Sequence, residues 1–239
     1  MLKIFADLEE LSQFAARQFS ELAQEATDRN GRFSVALTGG SSPKRLHQLL
    51  ATPPYRDQIP WQKVHIFWGD ERYVPITDDR SNAKMAFDTL LRHVDVPENQ
   101  VHIMTSDLPP EAFASQYEQI IKDYFQGSPP IFDLILLGMG EDGHTASLFP
   151  ETEVLHEKEK LVSSLYLPSQ HMHRITLTAP LINQAAQVIM LVFGKKKAET
   201  LQQVLKGPYQ PEHLPVQLIQ PENGEQTWLI DEEAASHLE

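Results

Sequence analysis

The densest chemistry in this chain lies in one loop, Gly138-Met139-Gly140-Glu141-Asp142-Gly143-His144-Thr145-Ala146-Ser147. Three glycines within positions 138–143 let backbone approach a ligand closely. Asp142 and His144 flank Gly143, so a carboxylate can orient an imidazole that takes a proton from water near neutral pH. A turn histidine beside a capping carboxylate would share this spacing. The glycine-rich setting directly after an apolar run favours the general base.

Three further segments carry reactive or charged groups at comparable places. Thr38-Gly39-Gly40-Ser41-Ser42-Pro43 follows a short apolar run and reads either as a sharp strand-to-helix turn or as an anion site at a helix N-terminus. Gly69-Asp70-Glu71-Arg72 sets three charges against a buried strand, which is costly unless they pair or bind something. Arg72 there is either part of an ion-pair cluster or a ligand for an anion or oxyanion. Arg174 precedes Ile175, and Lys195-Lys196-Lys197 opens a helix after Gly194. Cations at a helix N-terminus oppose its dipole, which points to an anion held there, though two of the three lysines fit simple solvated positions. His171 and His173 lie two apart with no carboxylate or cysteine pattern to complete a ligand set, so no metal site is expected.

These groups need elements to position them. Asp7 with Glu10 forms a capping-box pattern, and Leu8, Leu11, Ala15, Leu22 and Ala26 recur at helical spacing up to Gly31. Phe33–Thr38, Val64–Trp68, Phe132–Leu137, Ile175–Thr178 and Val188–Phe193 read as strands. Helices are expected from Ser42 (N-cap, with Pro43 at N1) to Leu50, from about Ser81 to Leu91, and from Lys195 to Leu205. Strands alternating with helices, and apolar throughout, predict an α/β fold. It is a mostly parallel, doubly wound sheet with helices on both faces, in a single domain spanning 1–239. In such a sheet the ligand sits beyond the C-terminal strand ends, where all the groups above are found.

Composition narrows the partners. Of 239 residues, 33 are acidic and 20 are Lys or Arg, a formal charge of −13, which disfavours nucleic acid and anionic membrane. A phosphorylated small molecule would need a local cationic cluster against this field. The absence of cysteine removes thiolate and disulfide chemistry. No run approaches a membrane span or a signal peptide, so the expected location is cytoplasmic. The terminal Leu238-Glu239 pair is set aside as a possible vector remnant.

Taken together, Thr38–Ser41, Gly69–Arg72, the segment from Gly138 through Leu148-Phe149-Pro150, Arg174–Leu177 and Gly194-x-x-Lys197-Ala198 occur in an order that closely resembles the 6-phosphogluconolactonase family. That family lies within the wider glucosamine-6-phosphate isomerase superfamily, and the match runs from about Phe33 to Leu205. The resemblance implies hydrolysis of 6-phosphoglucono-δ-lactone without metal or organic cofactor; the expected acting unit is a monomer or weak homo-oligomer. It implies that His144 is the general base, oriented by Asp142, and that Arg72 lies near the substrate. It assigns phosphate binding to Gly39, Gly40, Ser41, Arg174 and Lys197; Lys195 and Lys196 have no counterpart. The isomerase/deaminase branch is the closest rival. It carries a glutamate where this chain has Phe149, and tends to have tyrosine where this chain has Arg72. A sugar-phosphate sensor built on the same fold would need a DNA-binding segment. Only about 30 residues precede the first expected strand, which leaves little room for one.

Overall fold

Asp7 starts the first long helix as its spacing predicts. Its side chain accepts from the Glu10 amide at 2.9 Å, and helix α1 runs Leu8–Asn30 until Gly31 turns left-handed at φ 74° and returns its N–H to Thr27. The face bearing Leu11, Ala15, Phe19, Ala23 and Ala26 is buried. The computed structural model describes residues 1–238, so Glu239 lies outside the described residues.

Nine strands and eight helices follow one another along the described residues. The strands are β1 (Leu2–Phe5), β2 (Phe33–Leu37), β3 (Val64–Trp68), β4 (Asp70–Arg72), β5 (Leu134–Gly138), β6 (Val162–Leu167), β7 (Met172–Leu177), β8 (Gln187–Val192) and β9 (Glu225–Asp231). After α1 come α2 (Ser42–Leu50), α3 (Tyr55–Gln58), α4 (Asn82–Thr89), α5 (Pro110–Phe125), α6 (Ala179–Ile182), α7 (Ala198–Lys206) and α8 (Glu232–Ala235). Six strands form one sheet in the order β1-β9-β8-β5-β2-β3, and every pairing in it is parallel. Every residue of β2 is buried, as are all but the first of β8, so both faces of the sheet are covered. The expected single α/β domain with a parallel sheet is what forms. No helix among the described residues is long and apolar enough to cross a membrane.

The second sheet departs from expectation. Strands β4, β7 and β6 form a three-stranded antiparallel sheet. The segment read as a strand from Ile175 therefore does not belong to the parallel sheet. It starts at Met172 and places Arg174 inside the strand rather than before it. Asp70–Arg72, for which no element is expected, forms a short strand. Helix α2 starts at Ser42, so Ser41 rather than Ser42 stands in the N-cap position, and it makes no side-chain cap. Lys195–Lys197 forms a 3₁₀ turn, and α7 proper begins at Ala198.

Candidate active site

Strand order locates the site. From β2 the chain passes to β3 on one side, whereas β5 pairs on the other, so the loops leaving β2 and β5 part at their C-terminal ends. That reversal is where open α/β sheets bind ligands. A cleft of about 710 Å³ opens there, and it is lined by all four segments singled out above. Its lining includes Gly39, Gly40, Ser41, Arg72, His144, Arg174 and Lys197. Asp142 is not part of the lining; it reaches the cleft through His144.

The loop after β5 is built around the imidazole. Asp142 Oδ1 lies 2.5 Å from His144 Nδ1 and also accepts the His144 backbone N–H at 3.2 Å. The Gly140 amide donates to the His144 carbonyl at 2.8 Å, which closes the loop on itself. A Cβ at Gly140 would come within 2.0 Å of His144 Nδ1, so only glycine admits this imidazole. Burial pushes the Asp142 carboxyl up, but its hydrogen bond to His144 and the imidazole charge outweigh this and hold it below the ordinary range. With Nδ1 committed to a carboxylate, Nε2 is the ring nitrogen left for a substrate or water. The imidazole also stacks on Phe149, with centroids 4.1 Å apart and planes 20° apart.

The opposite wall comes from the small sheet. Arg72 and Arg174 are register partners on β4 and β7. Arg174 is 4% exposed; its Nη1 lies 3.5 Å from Asp70 Oδ2 and its Nη2 donates to Gln170 at 2.5 Å. Burial draws the Arg174 guanidinium down, with Asp70 opposing and Arg72 assisting. Arg72 Nη1 donates to the Arg80 carbonyl at 2.8 Å. Lys197 lies half-buried across the cleft and is also lowered by burial, against the pull of Glu141 and Asp142. In all, six Arg and Lys side chains and three Asp and Glu side chains line the cleft, a local reversal of the chain's overall charge.

Further residues brace these walls. Asn82, at the start of α4, donates to the Asp70 carbonyl at 2.9 Å and its carboxylate at 3.3 Å. Its amide fills the space a Cβ on Gly39 would need, the nearest approach being 1.9 Å. Glu71, fully buried on the far side of β4, accepts the backbone N–H groups of Arg72, Asn82 and Ala83 and the Ser81 hydroxyl, so it ties β4 to α4. Burial pushes its carboxyl up to about 7, with those donors opposing. Asp70 accepts from Ser147 at 2.6 Å and so joins the two walls. Asp231 accepts the Gly194 amide at 3.0 Å and caps α8, fixing the turn that carries Lys197. Ser81 caps α4, accepting the Lys84 amide at 3.0 Å. Nothing local marked Asn82 or Asp231 as neighbours of the cleft. Among the described residues no group of three or more His, Asp or Glu side chains is arranged to hold a metal ion.

Comparison with known proteins identifies the family. The family described as glucosamine-6-phosphate isomerases/6-phosphogluconolactonase matches residues 6–228, wider at both ends than the motifs alone indicated. A 6-phosphogluconolactonase of Synechocystis sp. is 42% identical over 218 residues, covering 90% of this chain and 88% of its own. The structure of 6-phosphogluconolactonase from Trypanosoma cruzi superposes with a TM-score of 0.86 at 29% identity, over 99% of this chain and 96% of that one. A monomeric glucosamine-6-phosphate deaminase shares the fold at a TM-score of 0.82 and 24% identity, over 99% of each chain. The chain belongs to the glucosamine-6-phosphate isomerase/6-phosphogluconolactonase family.

Proposed function

We propose that this protein hydrolyses 6-phosphoglucono-δ-lactone to 6-phosphogluconate, the second step of the oxidative pentose phosphate pathway. The observation that carries this reading is the His144 imidazole, held by Asp142 through Nδ1 and stacked on Phe149, in a cleft walled by cations. A sugar-phosphate isomerase needs an acid beside that imidazole to open the ring. An apolar ring occupies the place here.

In the proposed reaction the phosphate lies against the Gly39-Gly40-Ser41 loop, Arg174 and Lys197. His144 Nε2 removes a proton from water as the oxygen attacks the lactone carbonyl carbon. Arg72 or backbone N–H groups of the glycine loops stabilise the oxyanion. The tetrahedral intermediate collapses with cleavage of the bond from carbonyl carbon to ring oxygen. The imidazolium returns its proton to that oxygen, and the open-chain acid ionises in solvent. Asp142 keeps the imidazole in one tautomer and offsets its transient charge. No covalent intermediate is needed, since neither Ser41 nor Ser42 lies in a nucleophile elbow.

The acting unit we assign is a monomer or weak homo-oligomer. The charge of −13 argues against nucleic acid or an anionic membrane as partner, and the cytoplasm is the compartment we assign. The test is a coupled assay in which glucose-6-phosphate dehydrogenase generates the lactone. Its disappearance is followed with and without this protein. Equal rates with and without would reject the assignment.

A further inference from the structure

The Asp142–His144 hydrogen bond alone does not define where the imidazole points. A single hydrogen bond fixes one axis, and the ring remains free to rock about it. A face contact fixes a plane. Phe149 supplies that plane: its ring lies 4.1 Å from the imidazole at 20°, a close face-to-face contact. The contact is built by the backbone. Ala146 adopts a left-handed φ of 48°, the Leu148 amide closes a turn onto the Thr145 carbonyl at 2.9 Å, and the chain folds back so that residue 149 covers residue 144. Phe149 is itself held in the wall. It is 8% exposed, and its carbonyl accepts from the Thr152 hydroxyl at 2.7 Å.

We infer that Phe149 is a positioning residue for the base: its stacked ring, with Asp142, orients the His144 imidazole so that Nε2 faces the cleft. The inference rests on the lactonase reading above. The ring acts in two ways. It removes the rocking freedom left by the hydrogen bond, and its negative face attracts the imidazolium formed when water is deprotonated. Phe149 touches no reacting atom in this account.

The test separates positioning from packing. Phe149→Leu should lower kcat about 10- to 100-fold, the scale expected for a misplaced catalytic group, while KM for the phosphorylated lactone stays within about twofold. Phe149→Tyr, which keeps the ring, should restore most of kcat. In a His144→Ala background Phe149→Leu should cost nothing further, because residues acting through one another are not additive. In wild type the His144 ring-proton NMR signals should sit upfield from ring current, an effect kept in Phe149→Tyr and lost in Phe149→Leu. Should Phe149→Leu fail to fold, the NMR signals of the wild type and of Phe149→Tyr still decide the point. Unshifted His144 signals in wild type, or an additive loss in the His144→Ala background, overturns the inference. Full turnover in His144→Ala overturns both the inference and the reading beneath it. Wild-type turnover in Phe149→Leu with an inactive His144→Ala overturns the inference alone.

Discussion

Arg72 and Arg174 stand directly opposite one another on antiparallel strands, two guanidinium groups sharing one face of a small sheet. Like charges so placed are destabilising by up to about 1 kcal/mol. Asp70, 3.5 Å from Arg174, outweighs the pull of Arg72 on that guanidinium, so the main cost to Arg174 is its burial. Each arginine also keeps a buried Nε–H with no hydrogen-bond partner among the described residues. A pair of this kind is arranged for an anion. Arg72→Met should therefore leave the ligand-free protein at least as stable as wild type, with an unfolding temperature equal or up to about 4 °C higher, while kcat/KM falls at least about 10-fold. A thermal-shift scan beside the coupled assay checks both. A clearly lower unfolding temperature would show that the pair is structural.

Removing the base separates chemistry from binding. His144→Ala should lower turnover by about 10²–10⁴-fold and leave KM nearly unchanged, because general-base catalysis contributes about that much. Spontaneous lactone hydrolysis, which rises with pH, must be subtracted. Near-wild-type turnover in the folded variant would remove His144 from the mechanism.

The phosphate end should act mainly in binding. Lys197→Ala should raise KM more than it lowers kcat, with a loss on the order of 1.5–3 kcal/mol for one charge-assisted contact. Unphosphorylated gluconolactone should be a much poorer substrate. Equal kcat/KM for the two lactones contradicts the assignment of this wall to phosphate.

The deaminase reading makes a distinct demand. With Phe149 stacked on the imidazole, no acid is available there to open an amino-sugar ring. Glucosamine 6-phosphate should release no ammonia and yield no fructose 6-phosphate, while competing weakly with the lactone through its phosphate. Ammonia above the no-enzyme control would promote the isomerase branch over the lactonase.

Stability should fall on mild acidification. Burial lowers His47 to about 4, and burial together with His65 lowers His102 to about 4. Between about pH 6.5 and 4 the unfolded chain binds protons at these positions that the folded chain does not, so stability is lost as pH falls through that window. Glu71, raised to about 7, has the opposite sign: the folded state holds its proton between about 4.5 and 7, and stability is lost as pH rises there. Between about pH 6.5 and 4.5 the lowered histidines, with His65 lowered in the same sense, outweigh the single raised glutamate, so stability falls as pH falls through that window. Urea midpoints at pH 7 and pH 5 test this. His47→Gln should flatten the slope and Glu71→Gln should steepen it; a profile independent of pH contradicts the account.

The amino-acid pattern by itself determined the parallel core and the chemistry of its loops. Short apolar runs such as Phe33–Leu37 and Val188–Val192, bounded by turn residues, fit buried strands, and the Gly138–Ser147 loop carries its imidazole, carboxylate and glycines within ten consecutive residues. Edge and mixed strands were less legible. Strand β1 has four residues with alternate ones exposed, β6 carries Ser163 and Ser164, and β9 opens on Glu225-Gln226-Thr227, so none shows a continuous apolar run. Helix α5 buries Phe113, Tyr117, Ile121 and Phe125 at helical spacing. Only the tertiary structure decided that Ile175 lies in a second, antiparallel sheet, that Arg174 faces Arg72, and that Asn82 props the Gly39 loop. It also brought Asp231 to the Lys197 turn, 37 residues from Gly194. The reason is physical: local spacing encodes which face of an element is apolar, whereas register and crossover set which distant side chains meet.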